Sequence, residues 1–174
     1  MIERGLAKEN NMEFLTTQTG QFPLGIWLSI VIVGLIGGAN LIFQGVSVVN
    51  WRLAFKLRVQ EHASDDADPV NRTHMVIEWG HAWADVVSHA IIVPLAIVLT
   101  IRGDYWGFVL STFLYIFYFY VGILAIAQRF GLVKFGLKDS FREYVGVLTT
   151  LWIFVIIAIV GAISLWANPE YFGF

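Results

Sequence analysis

The chain has 174 residues, 57% of them apolar and 14% charged, with a formal net charge of −2 and no cysteine. Soluble domains carry nearer a quarter charged residues, so an ordinary water-soluble fold is excluded, and without a basic surplus so is nucleic acid as a partner. The missing cysteine removes disulfides, thiolate zinc sites, cysteine-ligated iron–sulfur clusters and covalent c-type haem.

The remaining class is a membrane protein, with room for about four spans of roughly 20 residues and too little chain for a separate soluble domain. The first apolar stretch covers residues 23–49 and is broken only by Asn40 and Gln44. It is too long for a signal-peptide core and has no small-residue cleavage pattern, which predicts a retained helix. Gly34 and Gly38, with Gly37 and Ala39 beside them, give it a small-residue face for packing within the chain or between copies.

The loop 50–68 ends in Glu61, His62, Asp65, Asp66 and Asp68. This cluster lacks the glycine and spacing of a calcium loop, and it reads as a solvated loop closing in a helix cap. Asp68-Pro69 supplies that cap and the first helical residue of a second helix predicted over 69–101. Its apolar part is 82–101, so the helix starts well outside the bilayer. Pro94 removes a backbone donor and predicts a kink just beyond His89.

The short connection 100–104 makes the second and third spans an antiparallel hairpin, the third covering 105–127. This span carries Phe113, Tyr115, Phe117, Tyr118, Phe119 and Tyr120, a run too continuous for one face, so some of these rings meet lipid, a cofactor or another subunit. In the joint that follows, Phe130-Gly131-Leu132 recurs as Phe135-Gly136-Leu137 among lysines. Such a segment either lies on a membrane leaflet or is a solvated basic loop. A Ser140-x-x-Glu143 capping box opens the fourth span, 141–166, where Ala158, Gly161 and Ala162 form a second small-residue face.

Arg52, Lys56, Arg58, Arg72, Arg129, Lys134, Lys138 and Arg142 flank the spans on one side, against Arg4, Lys8 and Arg102 on the other. The positive-inside rule then predicts an all-α, polytopic four-transmembrane-helix bundle, a single membrane domain over 1–174. Both termini are expected outside, and loops 50–68 and 128–143 in the cytoplasm, in a cell (inner) membrane. Trp27, Tyr105, Trp106, Trp166 and Tyr171 fit the outer interface and Trp51, Trp79 and Tyr144 the inner one.

Chemistry concentrates on the second helix. His74, Glu78, His81, Asp85 and His89 are separated by four, three, four and four residues, which at helical periodicity is one face. Ionisable groups near hydrocarbon are costly and should face a bundle interior, water or a partner. His89 is the deepest, roughly 10 Å inside at about 1.5 Å per residue, with Asp85 one turn nearer the surface and Glu78 and His81 at the interface.

Glu78, His81, Asp85 and His89 are therefore the candidates for handling a proton or cofactor, and His81, Asp85 and His89 for metal. His81 and His89 lie about 12 Å apart along the axis and cannot share one ion. The apolar stretches 23–49, 105–127 and 144–166 hold no Asp, Glu or His, so a transition metal or bis-histidine haem here would need ligands from a second copy or a partner subunit. A relay from His89 through Asp85, His81 and Glu78 reaches only the cytoplasmic surface; its outer half needs water, tyrosines or a neighbouring protein.

Glu78-Trp79-Gly80-His81, followed by Pro94-Leu95, resembles a stretch of a metal-binding helix in the third subunit of copper-dependent membrane monooxygenases. Ile77 and Ala96 stand where that pattern has an asparagine and a histidine, so two expected ligands are missing and no family follows from the match. No phosphate-binding glycine loop, nucleophile elbow or His-Glu-x-x-His motif is present.

The leading expectation is a small subunit of a larger or homo-oligomeric membrane assembly, embedded in the lipid bilayer, whose second helix handles a proton, metal or redox cofactor. One rival is a structural subunit whose stripe makes only interhelical or intersubunit hydrogen bonds. Another is a membrane metalloenzyme subunit, for which no complete catalytic constellation is present.

Overall fold

A computed structural model describes residues 13–137 and 145–174. The Ser140–Glu143 capping box, and Arg4, Lys8, Lys138, Arg142 and Tyr144 of the orientation argument, lie outside them. A short hairpin, β1 (Gln18–Thr19) and β2 (Phe22–Pro23), turns through Gly20 at φ +69° and leads into α1 (Leu24–Val49). Then come the short α2 (Trp51–Lys56), α3 (Pro69–Ile101), α4 (Tyr105–Lys134), α5 (Val145–Trp166) and a 3-10 turn at Pro169–Phe172.

Among the described residues, α1, α3, α4 and α5 are the four helices long and apolar enough to cross a membrane. Leu35 and Ile42 of α1, Ile91 of α3, Ile116 of α4 and Ile156 of α5 are each more than half exposed. Apolar surface on every long helix suits lipid as the solvent, and the four helices suggest a multi-pass membrane protein.

The chain forms two compact units, one of Met1–Val33 with Leu95–Phe174 and the other of Gly34–Pro94. In the first, α4 and α5 pack through small and aromatic residues. Gly122 lies against Val155, Tyr118 meets Phe154 edge-on at 5.4 Å, and Gly161 lies against the ring of Tyr115. Tyr115 is buried, and its hydroxyl bonds Ser29 Oγ at 2.8 Å and donates to the Ser29 carbonyl at 2.9 Å.

The aromatic run of the third span thus divides: Tyr115 and Tyr118 are core, while Phe113, Phe119 and Tyr120 are exposed. The two small-residue faces also part company, since a Cβ on Gly161 would strike Tyr115 whereas Gly38 has nothing within 4 Å.

The predicted hairpin forms. Asp104 caps α4 by accepting from the Trp106 N–H at 2.9 Å, Gly103 turns at φ +65°, and Gly107 lies against the backbone of Leu99 and Thr100. Thr100 Oγ1 bonds Ser111 Oγ at 3.0 Å. Tyr171 lies against Gly103 of this turn, and Phe22 stands 5.2 Å from Trp27 and 5.8 Å from Tyr171.

Helix α4 runs past the apolar stretch to Lys134, so the first Phe-Gly-Leu copy is helical and the second forms its end. Phe135 is the C-cap, Gly136 adopts φ +70°, and Leu137 N–H returns to the Leu132 carbonyl at 2.9 Å. Arg129, read from sequence as a loop cation, is buried within α4 and donates to the Ala125 carbonyl at 3.2 Å.

In the second unit, Asn50 caps α2 by accepting from the Leu53 N–H at 3.0 Å. The helix ends on Arg58 at φ +56°, with Arg58 N–H bonded to the Phe55 carbonyl and Val59 N–H to the Ala54 carbonyl. This is a Schellman closure with arginine where glycine is usual. Asp68 then caps α3 as predicted, accepting from the Val70 N–H at 2.8 Å. Helix α3 continues unbroken through Pro94, and the boundary between units falls there.

Candidate functional site

The ionisable stripe belongs to the second unit, and the structure sorts its members by burial. On α3 the buried positions are Ala82, His89, Val93, Ala96 and Thr100, spaced by the helical repeat. His74, Glu78 and Asp85 are half-buried near that face, and His81 is exposed, displaced by Ala82. A separation of three residues turns the helix about 300°, so His81 falls on the flank rather than under Glu78.

Within the apolar span, Asp85 and His89 meet Asn40 of α1. Asn40 Nδ2 donates to Asp85 Oδ2 at 3.2 Å and lies 3.2 Å from His89 Nε2. The other imidazole nitrogen, Nδ1, lies 2.9 Å from the Asp85 carbonyl, which can only accept. Nδ1 therefore carries a proton, and the single Asn40 amide nitrogen lies within hydrogen-bonding reach of both Asp85 Oδ2 and His89 Nε2. His89 is 1% exposed, so this satisfaction is what makes its burial tolerable. One turn along α1, Gln44 Oε1 is buried without a hydrogen-bond partner.

A second cluster forms where the loop 57–68 folds back on α3. Gln60 is buried and donates from Nε2 to Ser47 Oγ of α1 at 2.9 Å, and Trp51 Nε1 donates to the His62 carbonyl at 2.8 Å. These bonds carry His62 against His74, Nε2 to Nδ1 at 3.0 Å with the rings edge-on. Glu61 Oε2 lies 3.9 Å from His62 Nε2, and Glu78 Oε1 lies 3.4 Å from His74 Nε2.

Asp66 accepts from the Asp68 N–H and from the Asn71 amide, each at 2.9 Å. Those bonds, the backbone one first, hold its carboxyl below the ordinary carboxylate value. The acidic loop is thus a helix cap at Asp66 and Asp68, as its sequence suggested, while Glu61 and His62 turn inward.

Among the described residues, Glu61, His62 and His74 are the group whose donor atoms come within metal-sharing reach, all within 4.8 Å of one another. His81, Asp85 and His89, the sequence candidates for metal, are not gathered in this way. Sequence reasoning placed His74 on the correct face but gave no role to Glu61 and His62. A histidine among acids just before a cap was the available signal. No protein-family model matches the chain, and no curated protein or solved structure matches it.

Proposed function

We propose that this chain is a small membrane subunit, acting in a larger or homo-oligomeric assembly, whose second membrane helix takes up and releases protons at Asp85 and His89. The observation that carries the reading is the single Asn40 amide nitrogen in contact with both groups. With its NH2 toward the pair, Asn40 matches an ionised carboxylate and a neutral imidazole, two acceptors. Turned by half a rotation, its carbonyl oxygen would match a protonated carboxyl and an imidazolium, two donors. One amide rotation therefore links the two protonation events.

Glu78 and the exposed His81 continue toward the expected cytoplasmic face. On the other side of His89, α3 turns to Ile92, Val93 and Ala96, so the outer half of the route belongs to water or a neighbouring chain. This is the reason the reading includes an assembly. A structural reading, in which Asn40 only ties α1 to α3, uses the same bonds without any change of protonation.

Infrared difference spectra between neutral and acid pH, on protein in lipid nanodiscs, separate the two. Proton handling gives a carboxyl change lost in Asp85→Asn and an imidazole change lost in His89→Gln, and Asn40→Leu uncouples the two. Spectra that superimpose for wild type, Asp85→Asn and His89→Gln leave only the structural role.

A further inference from the structure

The fold-back of residues 57–68 brings Glu61 and His62 to His74, three donors that the proton site does not use, with Glu78 behind them. All four are shielded, the side chains of Glu61, His62, His74 and Glu78 being between 10% and 21% exposed. They are also held from both sides. Gln60 and the His62 carbonyl tie the loop to Ser47 and Trp51, while the Asp66 and Asp68 cap fixes the start of α3. The donors are therefore positioned before any ligand arrives, which lowers the ordering cost of binding.

The spacing suits a small cation. Ligand nitrogens in a tetrahedral zinc site, with metal–nitrogen bonds of about 2.0–2.1 Å, stand roughly 3.3 Å apart. His62 Nε2 and His74 Nδ1 are 3.0 Å apart, so an opening of a few tenths of an ångström admits the ion. The Glu61 carboxylate, 3.9 Å from His62 Nε2 in a triad whose donor atoms all lie within 4.8 Å, must make the larger movement, closing on His62 by about 0.6 Å, which is a side-chain adjustment. If His74 ligates through Nδ1, its Nε2–H faces Glu78 at 3.4 Å, the carboxylate behind a ligating histidine that fixes ring orientation and raises basicity.

We infer that Glu61, His62 and His74 form a binding site for a divalent transition-metal ion of the zinc class, with Glu78 orienting His74. Two imidazoles and one carboxylate are a borderline donor set, unlike the all-oxygen shells that calcium and magnesium require. Three protein ligands leave the fourth position to water or an added ligand. The site lies before the apolar part of α3 and stands independently of the Asp85–His89 reading.

The test uses full-length protein in detergent, stripped with a chelator, re-equilibrated with Zn²⁺ and assayed by elemental analysis, with Co²⁺ as the optical probe. The expected result is about one zinc per chain and the visible bands of tetrahedral cobalt. His62→Gln and His74→Gln abolish both. Glu78→Gln weakens zinc binding by about 10–100-fold, the usual cost of removing a histidine's outer partner. Asp65→Asn, an exposed change in the same loop, leaves binding intact.

Circular dichroism confirms that each variant is folded. The site is overturned if folded wild-type protein takes up no more zinc than the His62→Gln/His74→Gln double variant, or if Asp65→Asn removes binding as fully as His62→Gln does.

Discussion

The two units solve the same problem with different chemistry. The unit of Met1–Val33 and Leu95–Phe174 joins its helices through hydroxyls, glycines and rings: Tyr115 with Ser29, Thr100 with Ser111, Gly161 under Tyr115 and Trp166 donating to Thr112 at 3.0 Å. The Gly34–Pro94 unit joins its helices through amides, imidazoles and carboxylates, as Asn40 does with Asp85 and His89 and His62 with His74. Neutral contacts of the first kind hold at any ordinary pH. Those of the second kind are made by ionisable and metal-ligating groups, so the proposed proton and metal sites both fall in this unit.

The comparison can be broken most forcefully at the glycines. Gly161→Ala places a methyl group against the buried, doubly bonded Tyr115, and overpacking there is expected to cost about 1–3 kcal/mol. Gly38→Ala meets open space and is expected to be neutral or to gain up to about 1 kcal/mol in helix propensity. Chemical unfolding of both variants in the same lipid mimic measures the difference. A loss of oligomer in Gly38→Ala alone would instead make that face an intersubunit contact.

A smaller effect is expected at Arg58, which occupies a left-handed conformation that disfavours a side chain by roughly 1–2 kcal/mol. Arg58→Gly should stabilise the end of α2 by about 1 kcal/mol and slow amide exchange at Val59 and Gln60, whose N–H groups close that turn on the Ala54 carbonyl. Faster exchange there would show that the arginine side chain matters more than its backbone.

The smallest expected effects are at the two ends of the pH scale. Asp66 is held below its ordinary value of 3.8 by its bonds to the Asp68 N–H and Asn71. Its contribution to the start of α3 is thus full above that value and lost as pH falls through the lower folded one. Tyr171, whose hydroxyl donates to the Ile101 carbonyl at 2.8 Å, is raised above its ordinary value of 10.0 by burial. Its contribution is full below that value and lost as pH rises through the higher folded one. Amide exchange should therefore quicken in the first turn of α3 at acid pH and around the C-terminal turn at alkaline pH, with Asp66→Asn and Tyr171→Phe each blunting its own limb.

Much of this was legible because it is local. Long apolar runs, Asp68-Pro69 and the five-residue connection before Tyr105 each carry their own signal, and the helices begin and end close to where those signals lie. The stripe on α3 was legible as a period but not as a set of contacts. A spacing of three or four tolerates half a helix face, and only packing shows that Ala82 is buried where His81 is exposed.

By itself the sequence determined the long apolar helices, because hydropathy and capping act over a few neighbouring residues. The tertiary structure alone decided that Asn40 serves both Asp85 and His89, and that Glu61 and His62 reach His74. The physical reason is the same in both cases. Each pairing joins residues distant along the chain, and for His62 the turn at Arg58 and the bonds of Gln60 and Trp51 set the loop's path, which no periodicity encodes.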